Sequence, residues 1–555
     1  MIRQVLPFGD SAWLVEVDSV DAAQQLAGWL KQEVAAVAAP MAIGDIVVGF
    51  RSVVVHVDPL TNDPERCRTW LAGFEGSEPQ IPPAPSDRID IPTTFDGPDL
   101  DVVAAAAGIT TAAVIDLLTG CDLRVAFLGF SPGFPYLVGL PPALESIQRR
   151  ATPRTSVPEG SVALAGGFAA IYPQPTPGGW MLVGRTSLPL FDPEVAPYAR
   201  LRAGDIVRFR QASGPEGVNG VGVERGPWPA ARPPRRATSP RFVEVLAPGL
   251  LSLVEDGGRT SVASIGIPDA GPADPDSMRL ANRLVGNPDD AAVIEVTARG
   301  PTLRFHGDAH IGVVAATSDA VDLAIDGHVV GTETVVPVRD GQTLSAGQVR
   351  RGLRAYIGVA GGIEIPTVVG SRSSDVLSGL GLGALVVGDQ LDLGTPRHPR
   401  GFLTPTRSDG LASEPTVIRV IEGPHGFGPA GLETLCSTGW RVADASNRVG
   451  LRLSAPGAVL ASAGRIESTG TVTGAVQVPP DGQPIVLMPD HATVGGYPII
   501  ACAIAADLAR LGQVRGGDRL EFELVTQPMA LDALIEHERL LTNRVSGWFP
   551  AESGT

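Results

Sequence analysis

The stretch AGDIVRF (203–209) ends one β-rich half of the chain, and the similar stretch GGDRLEFEL (516–524) ends the other. Each combines a glycine turn with a segment in which apolar and polar residues alternate, the pattern of a strand with one buried face. Upstream of each ending, short apolar runs are separated by Gly/Pro turns. The two endings therefore predict a mainly β fold, with a β-barrel in both halves as a weak internal repeat.

The segments around these endings define the domain organisation. Residues 1–80 alternate strand-like and helix-like patterns and predict a small α+β subdomain. Residues 88–225 predict the first barrel unit, with one helix over 99–118. Residues 242–530 repeat the β-rich texture, and residues 531–555 predict a C-terminal helix and tail.

A segment dense in proline and arginine, GPWPAARPPRRATSPR (226–241), separates the two halves. It has no apolar period, which predicts a linker. A solvated tether is the preferred interpretation, and an interaction patch formed by its arginines is the alternative. The two halves are accordingly predicted to be separable folding units.

The composition excludes several classes of partner. The net charge is −17 over 555 residues and no basic run stands out, which argues against nucleic acid and anionic membranes. The four cysteines form no C-x-x-C pair, so neither a disulfide framework nor a zinc site is predicted. Since neither a targeting peptide nor a long apolar run is found, no membrane span and a cytoplasmic location are expected.

The chain contains a single lysine, Lys31, against 42 arginines. A P-loop, a Ser–Ser–Lys amidase and a Schiff-base enzyme each need a lysine in a specific setting, whereas Lys31 lies in the helix-like stretch GWLKQEV. A biotin carrier needs a lysine to which biotin is attached, and no suitable motif is found. The sequence therefore argues against all these chemistries for this chain alone.

The motif GFSPGFPY (129–136) has the G-x-S-x-G form of a hydrolase nucleophile turn. Pro132 follows Ser131 and cannot donate the backbone N–H that an oxyanion requires, and the segment cannot continue as a helix. A serine nucleophile is therefore rejected. The alternative is a rigid loop that presents Phe134 and Tyr136 to a ligand or to the core, and the sequence favours neither.

The glycine-rich stretch 157–186 carries further candidates. Gly166 is one of several glycines there that allow close approach of the backbone to a ligand. Trp180 and Arg185 lie five residues apart on one predicted strand and should face opposite sides. Trp180 is interpreted as core slightly more readily than as a ligand contact. Arg185 fits carboxylate or phosphate binding and a structural ion pair equally well.

Charged residues recur in the stretch 255–301. Asp256, Arg259 and Asp274 lie in Gly/Pro loops, where charges are readily solvated. Glu295 lies within an apolar strand and needs a partner. A structural pairing of Glu295 with Arg259 is preferred to a role as an acid in the site.

Asp490 and His491 directly follow the apolar strand PIVLM (484–488). An Asp and a His at a strand end beside paired glycines predict a site, and a solvated turn is the alternative. The loop closes with Gly495, Gly496 and Tyr497.

Together these motifs resemble two families of enzyme subunits. GFSPGFPYL, RRATPRTSVPEGSVALAGG and PGGWMLVGRT resemble the carboxyltransferase C–D family, which includes the B subunit of 5-oxoprolinase and KipI-like proteins. EDGGRTSV, GIPDAGPADPDSMRLANRLVGN and QVPPDGQPIVLMPDHATVGGYP resemble the A–B family, which includes the C subunit of 5-oxoprolinase and KipA-like proteins. The chain thus resembles a head-to-tail fusion of the two, related to urea amidolyase.

The resemblance implies cyclophilin-like β-barrels in both halves. It also implies a separate partner, the LamB/YcsF-type A subunit of 5-oxoprolinase. The implied reaction is cleavage of 5-oxo-L-proline to L-glutamate with hydrolysis of ATP, and the implied cofactors are ATP and Mg²⁺. One alternative is a KipI/KipA-like regulator of a sensor histidine kinase. The other is the carboxyltransferase component of a urea carboxylase or allophanate-type system, which would use biotin from another chain. A homo-oligomer is left open.

We expect the loop of Phe134 and Tyr136, the strand of Arg185 and the loop 490–497 to converge on a groove between the halves. The residues expected to be catalytic are Asp490, Asp256 and Asp274. The residues expected to bind substrate are Phe134, Tyr136, Gly166, Tyr172, Trp180, Arg185, Arg259, Gly495, Gly496 and Tyr497. Three positions lack the polar residues usual in these families: Leu118, Phe168-Ala169 and Ala492-Thr493-Val494.

Overall fold

The computed structural model describes most of the chain, and its elements fall into four regions in chain order. The described residues are 1–36, 39, 41–61, 63–74, 88–212, 232–396, 402–403, 415–461 and 464–546.

The first region is an antiparallel sheet with two helices. It contains β1 (Ile2–Pro7), β2 (Ala12–Val17), α1 (Val20–Ala35), β3 (Ile43–Val48), β4 (Ser52–Val57) and α2 (Pro64–Ala72), in the strand order β1-β2-β4-β3. The side chains of Ser19 and Asp63 accept backbone N–H groups and begin α1 and α2. Leu26 and Leu30 are buried on one side of α1 because they recur at helical spacing. This region is the α+β subdomain that the sequence predicts.

The second region is a nearly closed barrel. It contains β5 (Arg88–Thr93), α3 (Leu100–Ala107), α4 (Thr111–Gly120), β6 (Leu123–Leu128), β7 (Pro135–Val138), α5 (Pro142–Glu145), β8 (Arg154–Val157), β9 (Ser161–Ala165), β10 (Phe168–Ile171), β11 (Thr176–Gly178), β12 (Met181–Arg185) and β13 (Ile206–Gln211). The strand order is β12-β9-β10-β7-β6-β13-β5, and a bridge between Thr94 and Arg185 joins the two edges.

The single helix predicted over 99–118 is wrong in one respect, because the structure has two helices there. Gly108 ends α3 in the left-handed conformation at φ 68°, and the Thr110 side chain caps α4. The pair is bent by 90°. No single helix in the described ranges has the length and apolar character needed to cross a membrane.

The third region packs two sheets face to face around one apolar core. It contains β14 (Phe242–Ala247), β15 (Leu251–Glu255), α6 (Pro275–Leu284), β16 (Val293–Thr297), β17 (Thr302–His306), β18 (Ala309–Ala315), β19 (Val321–Ile325), β20 (His328–Val329), β21 (Val335–Val338), β22 (Thr343–Val349), β23 (Arg354–Val359), β24 (Ile363–Glu364) and β25 (Gln390–Leu393). The sheet orders are β20-β19-β22-β17-β14-β25-β24 and β15-β16-β23-β18-β21.

The fourth region is a closed barrel followed by a helix. It contains β26 (Phe402–Leu403), β27 (Thr416–Glu422), α7 (Gly428–Ser437), β28 (Trp440–Val442), β29 (Gly450–Ser454), β30 (Thr469–Gly470), β31 (Ala475–Gln477), β32 (Ile485–Leu487), β33 (Val494–Gly495), β34 (Ile499–Ala503), α8 (Leu508–Gln513), β35 (Arg519–Leu524), α9 (Gln527–Asn543) and β36 (Val545–Ser546). The barrel order is β27-β34-β31-β32-β29-β28-β35.

The two barrels have the same topology. β5 is parallel to β13 in the first barrel, as β27 is to β35 in the second, and the remaining strands follow in corresponding order. The two predicted endings are β13 and β35. Alternate residues are buried in both, namely Val207 and Phe209 in β13 and Leu520 and Phe522 in β35. The prediction of a mainly β chain with a repeated barrel is confirmed. The finer term cyclophilin-like stays a prediction.

One hydrophobic cluster joins the N-terminal subdomain to both barrels. It includes Leu14 and Val54 from the subdomain, Phe127 from the first barrel, and Ala475 and Cys502 from the second. The two halves therefore share apolar core through the subdomain. The predicted boundaries at residues 80, 225 and 530 stay predictions.

Residues 232–241 are bound to the third region. Arg232 forms a bidentate ion pair with Asp389 at 2.7 and 2.6 Å, and Asp392 accepts the backbone N–H groups of Thr238 and Ser239. The prediction of a solvated tether is therefore wrong for these residues, because the carboxylates of a neighbouring turn and strand hold them. Residues 76–87 and 226–231 lie outside the described residues.

Candidate functional site

Aromatic side chains cluster where the first barrel meets the second half. Phe134 and Tyr136 lie two residues apart at the β6–β7 hairpin and therefore point to one side. The ring of Phe134 lies 5.1 Å from Tyr172 and 5.8 Å from Trp180, and that of Tyr136 lies 5.6 Å from Phe168. Phe134 is 1% exposed. These mostly edge-to-face rings form the buried wall of the site.

Arg149 extends over this wall from the segment between α5 and β8. The segment is fixed by two backbone hydrogen bonds, from the Gly166 N–H to the Ile147 carbonyl and from the Arg150 N–H to the Gly179 carbonyl, both 2.7 Å. The guanidinium carbon of Arg149 consequently lies 5.6 Å from the centre of the Trp180 ring. This distance is that of a cation–π contact.

A second arginine reaches the same place from the second barrel. The Ile466 N–H donates to the Gly496 carbonyl at 3.1 Å and thereby holds Arg465 beside Tyr497. The guanidinium carbon of Arg465 lies 5.2 Å from the Tyr497 ring centre. Arg149 lies within electrostatic range of Arg465 and Tyr497, so each half of the chain contributes one arginine and one aromatic ring to a common surface, which we call the twin-arginine groove.

The charges of this groove are not balanced within the described part of the chain. Neither Arg149 nor Arg465 has an ion pair or hydrogen bond to another described residue. The side chain of Arg149 reaches solvent, but its pKa is lowered. The larger cause is partial desolvation by the surrounding protein, and the next is the positive charge of Arg465. An arginine guanidinium nevertheless carries its positive charge at neutral pH. Within the described residues, the groove is therefore a cationic site without a counter-charge.

Two tyrosines add hydroxyl groups to the groove. Burial raises the pKa of Tyr136 and of Tyr172 to about 12, so both stay protonated and are hydrogen-bond donors at neutral pH. The Tyr172 hydroxyl is hydrogen-bonded to the backbone of Trp180. The Tyr136 hydroxyl has no partner among the described residues and lies within electrostatic range of Arg149 and Arg465.

The tip of the β3–β4 hairpin connects the two sides of the groove. The Phe50 ring lies 5.2 Å from Phe168, and the Phe50 N–H donates to the Ser468 carbonyl at 2.7 Å. Next to it, Arg51 forms a bidentate ion pair with Glu467 at 2.6 and 2.8 Å. The N-terminal subdomain thus fixes the segment between Arg465 and β30 relative to the aromatic wall.

The GFSPGF loop is part of the contact between the halves. The Gly133 N–H donates to the Ile265 carbonyl at 2.8 Å, and a side chain at Gly129 would collide with Val494. Ser131 is 1% exposed, and strand β7 follows the turn instead of a helix. The turn therefore does not lead into the helix that a nucleophile turn requires.

Asp490 lies in a buried ionic cluster outside the groove. Arg448, which is fully buried, contacts Asp490 at 2.8 and 3.0 Å and Glu295 at 2.6 Å, and Arg354 contacts Glu295 at 3.2 Å. Burial raises the pKa of the neighbouring Glu255. The predicted structural role of Glu295 is confirmed, but the predicted partner, Arg259, is wrong. These contacts account for Asp490 without a catalytic role.

Asp256 and Asp274 also have structural partners. Asp256 accepts the backbone N–H groups of Gly258 and Arg372, at 3.1 and 2.6 Å. Asp274 caps α6 by accepting the Ser277 N–H at 3.0 Å. Burial, followed by the charge of Asp276, raises the pKa of Asp274 to about 6. Neither carboxylate contacts the residues of the twin-arginine groove.

The two predicted anion-binding arginines also lie elsewhere. Arg185 is 61% exposed and pairs with Asp96 at 2.8 Å, which is the structural alternative that the sequence left open. Arg259 is buried, and its guanidinium donates to the carbonyls of Val368 and Ser373. The structure thus brings Phe134, Tyr136 and Tyr497 together and leaves Arg185 apart.

The sequence analysis missed both arginines of the groove. Arg149 opens the motif RRATPRTSV, but nothing local distinguishes it from Arg150, which pairs with Asp99 at 3.0 Å. Arg465 lies in no recognised motif. His491, also predicted as a site residue, is buried, and its Nδ1 lies 3.1 Å from the Thr471 hydroxyl.

The groove suits an anion and lacks ligands for a cation. Among the described residues, no group of three or more His, Cys, Asp or Glu side chains could hold a metal ion. Arginine and tyrosine donors match carboxylate or phosphate oxygens, whereas Mg²⁺ requires oxygen ligands. The residues of the groove therefore do not fit Mg²⁺.

Two family models match the chain. The carboxyltransferase domain, subdomain C and D, matches residues 3–201, and the carboxyltransferase domain, subdomain A and B, matches residues 265–524. The first model covers the N-terminal subdomain and the first barrel up to β12, and the second covers most of the third region and all of the second barrel.

Individual proteins support the same division. The C subunit of 5-oxoprolinase from Escherichia coli K12 is 34% identical over 303 residues, covering 54% of this chain and 96% of its own length. The B subunit of 5-oxoprolinase from Escherichia coli O157:H7 is 47% identical over 148 residues, covering 26% of this chain and 65% of its own. The crystal structure of TTHA0988 superimposes with a TM-score of 0.80 at 32% identity, covering 94% of this chain and all of that one.

Proposed function

Because this chain belongs to the family of the B and C subunits of 5-oxoprolinase, we propose that it is the substrate-binding component of an ATP-dependent 5-oxoprolinase. It would cleave 5-oxo-L-proline to L-glutamate together with a LamB/YcsF-type protein. The B-like and C-like halves are fused in one polypeptide here, so the groove between them is assembled within a single chain.

The observation that carries the proposal is the twin-arginine groove. Arg149 and Arg465 approach from the two halves, with aromatic walls beneath them and no carboxylate partner among the described residues. 5-Oxoproline has a carboxylate and a flat lactam ring. An arginine matches the carboxylate, and the Tyr136 and Trp180 rings match the faces of the lactam.

The chemistry divides between this chain and its proposed partner. Opening the lactam requires activation, in which the terminal phosphoryl group moves from ATP to the lactam oxygen and ADP leaves. One water adds to the ring carbon and its protons pass to the ring nitrogen as the ring C–N bond breaks, and a second water hydrolyses the resulting acyl phosphate to glutamate and phosphate. Carboxylates for Mg²⁺ and a nucleotide motif are not found in the groove, so we propose that the partner supplies them.

Reconstitution tests this proposal. The purified chain is mixed with the LamB/YcsF-type protein, and ADP and glutamate formed from 5-oxoproline are measured. We expect turnover only with both proteins present, and Arg149→Gln is expected to lower kcat/KM about tenfold or more because a charge-assisted hydrogen bond is lost. Arg185→Gln is the control and should leave turnover unchanged. No turnover with a folded, bound partner would contradict the proposal and favour a regulatory role.

The family models themselves favour a second candidate, carboxyl transfer, because both are described as carboxyltransferase domains. This chain would then accept a carboxyl group from biotin carried by another protein. The two candidates differ in their requirement for a carrier. Urea-dependent discharge of a carboxylated carrier protein by this chain, without ATP-dependent glutamate formation, would support carboxyl transfer.

A further inference from the structure

We propose that the twin-arginine groove selects small organic dianions over monoanions of similar size. The inference rests on the proposed function and deepens it by naming the charge class of the ligand. It is carried by the positions of Arg149 over Trp180 and of Arg465 over Tyr497, 5.6 and 5.2 Å from the ring centres, with no counter-ion among the described residues.

Most neighbouring arginines are neutralised by carboxylates. Arg150 and Arg154 share Asp99 at 3.0 and 2.9 Å, and Arg51 pairs with Glu467 at 2.6 Å. Arg149 and Arg465 depart from this pattern although they adjoin these residues in sequence. Two like charges in one site repel each other, and a ligand with a single negative charge neutralises only one of them.

Both arginines are exposed, but the aromatic wall excludes water from the side on which their guanidinium groups meet the rings. Trp180 is 4% exposed and Tyr136 is 6% exposed, and each lies against further rings. Charges beside such a low-polarity surface interact more strongly than charges in bulk water. The same wall favours a ligand whose acid groups are attached to a compact, flat or apolar body.

The Tyr136 hydroxyl supports binding of a second acid group. It is protonated, has no partner among the described residues, and lies within electrostatic range of both arginines. A ligand could place one acid group on Arg149 and another on Arg465. One of these acid groups could also accept a hydrogen bond from the Tyr136 hydroxyl, which would be the third donor. In the proposed reaction, phosphorylation of 5-oxoproline adds negative charge to a monoanion. The groove would thus bind the activated form more tightly than the free substrate.

Isothermal titration calorimetry with matched probes tests the charge preference. Benzoate carries one carboxylate on a flat ring, and phthalate carries two on the same ring. We expect phthalate to bind the full chain about tenfold more tightly than benzoate, the gain typical of one further charge-assisted hydrogen bond. We also expect this ratio to shrink as salt is raised.

Two variants test whether the groove causes the preference for phthalate over benzoate. In Arg465→Gln the ratio of the two dissociation constants should fall to about one, because only one guanidinium remains. Arg185→Gln, at a surface pair outside the groove, should keep the ratio of the unmodified chain. Circular dichroism and thermal unfolding confirm that each variant is folded.

The outcomes separate this inference from the proposed function. Equal affinities for benzoate and phthalate, or a preference that survives in Arg465→Gln, would overturn the dianion inference even if 5-oxoproline is turned over. A phthalate preference that requires Arg465, without turnover of 5-oxoproline, would support the inference and contradict the proposed function.

Discussion

The two barrels share one strand order but differ in what they place at the corresponding strand ends. In the first barrel, Phe134 precedes β7 and Tyr172 follows β10, and their rings lie 5.1 Å apart. In the second, Arg448 precedes β29 and Asp490 lies beyond β32, and they form an ion pair at 2.8 Å.

The difference shows how one topology serves two purposes. Aromatic rings fill the strand ends of the first barrel and leave a surface on which a ligand can lie. Charged groups at the strand ends of the second barrel form buried ion pairs with each other and with the third region. These ion pairs hold the second barrel against the third region. The binding site therefore follows from residue type at equivalent positions and not from the barrel itself.

Removal of Asp490 should have the largest effect. Asp490→Ala leaves the buried Arg448 without a main partner and is expected to lower the free energy of unfolding by about 3–5 kcal/mol. At the equivalent end of the first barrel, Tyr172→Phe should cost only about 1 kcal/mol. Urea unfolding followed by circular dichroism measures both. An Asp490→Ala protein with normal stability but no turnover would support the catalytic role predicted from the sequence.

Two buried aspartates should give opposite pH dependence. The pKa of Asp274 is raised to about 6, so its contribution to stability is full at low pH and is lost as the pH rises through about 6. In the first barrel, burial raises the pKa of Asp99, but Arg154 and the Leu182 N–H outweigh burial and lower it, so its contribution is lost as the pH falls.

The free energy of unfolding is measured as a function of pH between about pH 3 and pH 8, a range that includes ordinary carboxyl pKa values. Relative to Asp274→Asn, the unmodified chain should lose stability as pH rises. Relative to Asp99→Asn, it should gain stability as pH rises. Parallel curves for the two comparisons would contradict the assigned environments.

Tyr136→Phe should weaken ligand binding while leaving the stability of the chain nearly unchanged. The hydroxyl has no partner among the described residues, so its removal is expected to change the unfolding free energy by less than about 0.5 kcal/mol. Affinity for 5-oxoproline should fall about tenfold if the hydroxyl donates to the ligand. Calorimetric binding and thermal unfolding give the two numbers. A loss of stability without a change in affinity would place the hydroxyl outside the site.

The hairpin contact should have the smallest effect. The Arg51 and Glu467 side chains are 36% and 48% exposed, so Arg51→Gln is expected to cost at most about 1 kcal/mol of stability. Affinity for 5-oxoproline should fall only slightly, because Phe50 still holds Ser468 through its backbone N–H. A large loss of affinity would show that the ion pair positions Arg465.

Sequence patterns predicted some parts of the site and missed others for identifiable reasons. The Gly/Pro loop before β7 predicted a turn that carries Phe134 and Tyr136, and the structure has a turn at 131–133 followed by β7. The same patterns predicted a single helix where Gly108 separates two, because an apolar period continues across the glycine. Asp490 resembled a site residue because its partner Arg448 is 42 positions away in the chain.

The alternation of apolar and polar residues in 203–209 and 516–524, together with the glycine turns, determined that these segments form strands with one buried face, because strand periodicity is a local property. The repeat of this ending predicted two β-barrels, but closure of each barrel depends on pairing between strands far apart in the chain. The single lysine likewise argued against several chemistries without any structure. Only the tertiary structure decided which arginines are available to a ligand. The sequence does not distinguish Arg185 from Arg149. In the structure Asp96 neutralises Arg185, whereas no described carboxylate reaches Arg149. Such pairing depends on residues that meet only after folding.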